Sequence, residues 1–321
     1  MLQKDLGLQR LWAKLDSLNP SGSFKDRGSA VGVSLALERG FRSVGCTSSG
    51  NMAASVAAYG AKAGLRSLIF VPPHTPREKL IQASTYGAEV VGTGSMSSEE
   101  RYQLTHELGQ KRRIFMINNN SPLRIEGQKT FAFEVWRDLG FAVADWVVIP
   151  TSSGGNAYAI AKGFRELRLL GLTDRMPKIL LAQSSGCAPF VKAFKEGRRN
   201  VSKWPNPDSI ASAILNPNPP SGERLLKVLA DTGGSAEMAS DREIAAATRE
   251  FAVKEGIFCE PSSATSLVAL RKSISEGAIS TDESVILDIT GIGFKDLRVA
   301  SEFYKPPEDF GTWIARSITS L

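Results

Sequence analysis

The run Asn19-Pro20-Ser21-Gly22-Ser23-Phe24-Lys25-Asp26-Arg27-Gly28 constrains this chain more than any other stretch. It places one lysine at the mouth of a helix. Asn19-Pro20 and Ser21-Gly22 are turn dipeptides, Asp26 suits a first helical turn, and Gly40 stands where the helix would stop. The residues that follow are small and apolar (Ala30, Val31, Val33, Leu35, Ala36, Leu37). A lysine buried against such a surface loses hydration, its pKa falls, and its amine becomes a nucleophile toward an aldehyde. Taken alone, Lys25 would read as a surface lysine preceding a helix; its flanking residues reverse that reading.

The rest of the chain narrows the chemistry. Its 321 residues suffice for roughly two domains, each with a core. No run of about 18 apolar residues reads as a membrane span, and residues 1–15, with Lys4, Asp5, Arg10 and Lys14, do not read as a signal peptide. Cys46, Cys187 and Cys259 are widely separated, as free thiols of a reducing compartment are, so the expected location is cytoplasmic. The only histidines, His74 and His106, lack ligand-spaced partners, which argues against a histidine triad and against a metal site. The net charge of +6 favours anionic ligands, but no basic stripe with interleaved aromatics suggests nucleic acid. The remaining chemistry needs lysine, a hydroxyl, a carboxylate or a cofactor.

Strand and helix patterns alternate along the chain. A strand at Ser43–Thr47 runs into Ser48-Ser49-Gly50-Asn51 and a helix over 52–63. Backbone N–H groups at such a helix start attract anions. Asn51 either bonds a ligand oxygen there or caps the helix. Strands at 67–71, 89–91 and 114–117 follow, with helices at 76–86 and 97–111. Thr75, Pro76 and Glu78 read as a capping box for the first of these helices. Glu126-Gly127-Gln128-Lys129-Thr130 reads as a helix start, with Glu126 complementing the dipole and Gly140 as the stop. The apolar strand at 146–149 leads into Pro150-Thr151-Ser152-Ser153-Gly154-Gly155-Asn156 and a helix over 157–170, an arrangement able to cradle a phosphate. Further strands are expected at 178–183 and 285–289. A second capping box, Ser240 with Glu243, opens a helix that stops at Gly256. The alternation predicts an α/β chain whose parallel or mixed sheets are flanked by helices.

The lysine run resembles the motif of the threonine synthases and their relatives, pyridoxal-phosphate enzymes of the tryptophan-synthase-β type, called fold type II. Four later segments are similar in the same order: Cys46–Ala54, the loop Gly154-Gly155-Asn156, Ile257-Phe258-Cys259-Glu260-Pro261-Ser262-Ser263-Ala264, and Thr290-Gly291-Ile292-Gly293-Phe294-Lys295-Asp296. The resemblance implies pyridoxal 5'-phosphate as cofactor, held between two domains, residues 1–33 with 126–321 and residues 34–125. It implies that Lys25 is the catalytic residue and forms the Schiff base. Asn51 would bond the phenolic oxygen, Ser152, Ser153, Gly154, Gly155 and Asn156 the phosphate, and Thr290 the ring nitrogen. Ser48, Ser49 and Gly50 would hold the substrate carboxylate. The implied activity is the conversion of O-phosphohomoserine and water into threonine and phosphate by a homodimer.

Two departures stand near the chemistry. The arginine that often follows the Ile210–Ile214 segment is replaced by Leu215-Asn216-Pro217, and Ile292 stands where a histidine is usual. They keep two alternatives open: β-replacement or elimination on serine, threonine or O-phosphoserine, and a non-catalytic paralogue binding the cofactor or an amino acid.

Overall fold

A computed structural model describes residues 1–119 and 121–309, and among these nine strands form two sheets. The strands are β1 (Arg10–Lys14), β2 (Ser43–Thr47), β3 (Arg66–Val71), β4 (Glu89–Gly92), β5 (Ile114–Met116), β6 (Trp146–Pro150), β7 (Lys178–Ser184), β8 (Ser235–Ala239) and β9 (Ser284–Asp288). The larger sheet has the order β1-β9-β6-β7-β8 and the smaller β4-β3-β2-β5. All their pairings are parallel, so neighbouring strands are joined by crossovers rather than hairpins.

The larger sheet is buried on both faces. Val147, Ile149, Ile179 and Leu181 enter one core with Phe131, Phe164 and Phe190, while Val148, Leu180, Val285 and Leu287 enter another with Phe251, Leu267 and Leu270. That two-sided burial is why β6 and β7 read as unbroken apolar runs. In the smaller sheet Val44, Cys46, Ile69 and Val71 share a core with Val56 and Ala57.

The helix Lys25–Glu38 joins the two sheets. Its far end supplies Val33 and Ala36 to the smaller sheet's core. Its first turn is tied to the larger sheet through Arg27, which donates to Asp16 at 2.8 and 2.9 Å and to Glu134 twice at 2.7 Å. Burial alone would raise the Glu134 carboxyl, but hydrogen bonds from Arg27 and Lys14 hold it at about 2. Asp16, just beyond β1, is 1% exposed, and burial raises its carboxyl against the pull of Arg27.

Two local expectations are corrected. The helix after β3 is Glu78–Thr85, and no side chain caps it. The Thr75 hydroxyl instead donates to the Pro72 carbonyl at 2.9 Å, so Thr75-Pro76 belongs to the preceding turn. Glu126 does not start a helix: it lies within Pro122–Gln128, begun by Pro122, and Thr130–Asp138 is a separate helix. Its carboxylate pairs with Lys129 at 2.6 Å and Lys162 at 2.8 Å. The Ser240–Glu243 capping box forms as read, and Ser97 with Glu100 makes another.

Replacing Arg27 with leucine leaves Asp16 buried without its partner. We expect a loss of about 3–5 kcal/mol in urea denaturation, as for other broken buried ion pairs.

Candidate active site

Strands of both sheets run toward a cavity of about 880 Å³, lined by Lys25, Ser48–Asn51, Ser152–Asn156, Glu260 and Thr290. Parallel α/β sheets gather ligands outside their carboxyl ends, and here residues just past β2, β6 and β9 all face one space.

Lys25 is the first residue of its helix. Antiparallel contacts stitch the turn before it to the segment after β9: Phe24 N–H donates to the Thr290 carbonyl at 3.0 Å, and Ile292 N–H to the Gly22 carbonyl at 3.0 Å. Asp26, 1% exposed, accepts from Ser21 N–H at 2.6 Å and from its hydroxyl at 2.5 Å, which closes the turn. The Lys25 ammonium lies 4.5 Å from the centre of the Phe24 ring. Burial, reinforced by the nearby Arg124 charge, lowers its pKa from 10.5 to about 7, although Glu260 pulls it upward. The surface-lysine reading is excluded.

Asn51 begins the helix Asn51–Lys62 but does not cap it; the cap position belongs to Gly50. Its amide nitrogen donates to both oxygens of Glu260, at 3.2 and 3.0 Å. Ser48 accepts from Gly50 N–H at 3.4 Å, and Ser48, Ser49 and Gly50 line the cavity beside Asn51.

The bend after β6 depends on glycine. Gly154 has a φ of +84°, and a Cβ there would stand 2.8 Å from the Phe190 ring and 3.0 Å from Leu225. A helix, Gly155–Leu169, starts at once, leaving its first N–H groups at the cavity. The side chain of Asn156 turns elsewhere and donates to Asp288 at 2.9 Å. Burial and the neighbouring Asp16 charge raise the Asp288 carboxyl well above its ordinary range. Asn156 therefore offers the cavity its backbone while its amide braces the bend against the end of β9.

Thr290 is 3% exposed, and its hydroxyl shares a 2.9 Å hydrogen bond with that of Ser263. Thus every site residue expected from the sequence lines this one cavity. His74 and His106 lie outside it, both exposed.

Several residues escaped sequence reading. Ser263 stands in the sequence only as part of a motif, and no local pattern marks Arg124. Arg124 is 1% exposed, donates to the Ser29 hydroxyl at 3.4 Å, and keeps Nη2 without a partner among the described residues. Burial lowers its pKa to about 10. Two further cavity lysines, Lys79 and Lys295, bond the neutral acceptors Ser212 (3.3 Å) and Gln82 (2.5 Å). A cavity so furnished can hold an anionic ligand and present an unprotonated amine at neutral pH.

The family model described as pyridoxal-phosphate dependent enzyme matches residues 1–291. A threonine synthase of Methanocaldococcus jannaschii is 40% identical over 296 residues, 92% of this chain and 73% of that one. One from Methanosarcina acetivorans is 39% identical over 307 residues, 95% and 76% of the two chains. Among solved structures, maize serine racemase superposes with a TM-score of 0.79 at 21% identity, covering 99% of this chain and 89% of that one. A threonine deaminase of Solanum lycopersicum gives 0.77 at 23% identity, covering 98% and 84%. These two structures show the shared fold.

An amine whose folded pKa lies below its unfolded value binds fewer protons when folded, so stability rises with pH between the two values. The unliganded protein should gain stability from about pH 7 to 10.5. In denaturant titrations across that window, Lys25→Met should remove that part of the slope.

Proposed function

The chain belongs to the pyridoxal-phosphate-dependent enzyme family, and from that premise we propose that it converts O-phosphohomoserine and water into threonine and phosphate. One observation carries the reading: Lys25, Asn51, the Ser152–Asn156 bend and Thr290 converge on one cavity, in a chain 40% identical to a threonine synthase over most of its length.

The residues fit the cofactor. Lys25 offers an amine to its aldehyde, and Thr290 a neutral hydroxyl to its ring nitrogen. The glycine bend brings the backbone at the start of the helix Gly155–Leu169 to the cavity, where its first N–H groups would face the phosphate. When bound, pyridoxal phosphate supplies an electron sink next to the substrate nitrogen. The chain supplies the rest. Lys25 Nζ, with its pKa near 7, can take a proton from a substrate carbon and return it without leaving the physiological range. Ser48, Ser49 and the helix start at Asn51 face the substrate carboxylate with hydroxyl and N–H donors. Ser263 shares a hydrogen bond with the Thr290 hydroxyl, which would present a neutral partner to the cofactor's ring nitrogen.

A phosphorylated substrate would meet two further cavity lysines, Lys79 and Lys295, among the lining acids Glu78, Glu260 and Asp296. Lys79 and Lys295 are bonded to neutral groups, and Arg124 sits buried beside Lys25 without a carboxylate in ion-pair range among the described residues. The two-domain division, the cytoplasmic location and the homodimer complete the proposal.

Phosphate release should follow incubation with O-phosphohomoserine and accompany threonine formation. Release from O-phosphoserine alone would replace this reading with a β-elimination. Lys25→Ala should abolish turnover while retaining the wild-type circular dichroism spectrum; residual activity near wild type would contradict the assignment.

A further inference from the structure

Glu260 is a buried acid on the cavity wall to which the proposed function gives no task. It occupies the cap position of the helix Pro261–Ser275, yet its side chain does not cap that helix. It turns into the cavity with 4% of its surface exposed. Its backbone N–H donates to the Gly291 carbonyl at 3.0 Å, and Gly291 lies so close that a Cβ there would stand 2.6–2.9 Å from the carboxyl group. This side chain is held in place from the β9 side, and what it holds in turn is Asn51, 209 residues away in sequence and just past the smaller sheet's β2.

We infer that Glu260 is a positioning residue that fixes the Asn51 amide with its nitrogen toward the cofactor, making Asn51 a donor to the cofactor's phenolic oxygen. The inference rests on the proposed binding of pyridoxal phosphate. A carboxylate only accepts hydrogen bonds, so the amide must present nitrogen, not oxygen, to Glu260. The nitrogen carries two hydrogens, and one suffices for the contact at 3.0 and 3.2 Å. The other is left for an acceptor in the cavity. Were Glu260 neutral, its O–H could donate to the amide oxygen, and the amide could turn over and lose that preference.

The surroundings make the charge matter. Burial raises the Glu260 carboxyl above its ordinary range, and Asp296 adds to this; the hydrogen bond from Asn51, then Lys295 beyond β9 and Lys25 on the helix Lys25–Glu38, favour the ionised form, and Cys259 is the adjoining titratable group on its own strand of chain. Glu260 in return supports the protonated form of Lys25. One carboxylate therefore acts on both the group that would join the cofactor and the group that would bond its oxygen.

Glu260→Gln keeps the shape and removes the charge. Apoprotein variants would be titrated with pyridoxal phosphate by equilibrium dialysis, and the pH dependence of the visible absorbance recorded after loading. We expect Glu260→Gln to weaken cofactor binding about tenfold, the size of one charge-assisted hydrogen bond. Its absorbance midpoint should fall by about one pH unit, because a negative charge has left the vicinity of Lys25. Asn51→Ala should lose a similar factor, and the double variant should be no worse than Asn51→Ala alone, since both act through one contact. Additive losses, or a folded Glu260→Gln with wild-type affinity and pH profile, would overturn the inference. Gly291→Ala, whose methyl must displace the carboxyl, provides a second route should Glu260→Gln unfold. Weaker binding there supports the inference, and wild-type affinity in a folded Gly291→Ala would overturn it. If the wild-type protein itself binds no pyridoxal phosphate, the proposed function fails and this inference fails with it.

Discussion

The candidate site depends on one lysine amine held largely away from water at the cavity wall. Lys25 stands between the carboxyl ends of two parallel sheets, with an aromatic ring on one side and the Arg124 charge near the other. Desolvation and like charge both oppose its protonation, so that a large share of the amine is unprotonated near neutral pH. A folded chain tolerates such a group because the neutral form is accessible, and it is the neutral form that reacts with an aldehyde. The chemistry and its stability penalty have the same origin.

Placing that amine requires two anchors that pull in different directions. The Arg27 guanidinium, shared by Asp16 and Glu134, binds the start of the helix to the larger sheet. Val33 and Ala36 fasten its other end in the smaller sheet's core. The contacts of residues 22–24 with 290–292 then set Lys25 beside Thr290 without involving the smaller sheet. Asn51 opens the helix that follows β2 of the smaller sheet, and its amide bonds to the larger sheet's side of the cavity through Glu260. The site thus has a part made rigid by backbone pairing and a part joined to it by a side-chain bond.

Much of this was legible in the sequence. The lysine turn, the serine-rich turn before Asn51, the glycine bend and the threonine after β9 are local patterns, and local geometry dictates them. β2 and the Ser240 cap emerged with the bounds read for them because turn chemistry and periodicity agree there. β1 and β8 went unread. The first is a short strand ending in Arg10 and Lys14, and the second, Ser-Ala-Glu-Met-Ala, lacks the β-branched run that marks a strand. Glu237 within it is buried against Lys195, a partner that no pattern in β8 announces. The same holds for Glu260 and Asn156, whose partners lie 209 and 132 residues away. Spacing rules describe neighbours along a helix or strand; contacts between the ends of distant strands follow from the topology.

The most direct measurement is chemical trapping. Protein loaded with pyridoxal phosphate would be reduced with borohydride, digested, and its peptides mapped by mass spectrometry. The account requires the phosphopyridoxyl group on the peptide containing Lys25. An adduct on Lys79 or Lys295 instead, or no adduct in protein that has bound the cofactor, would contradict it.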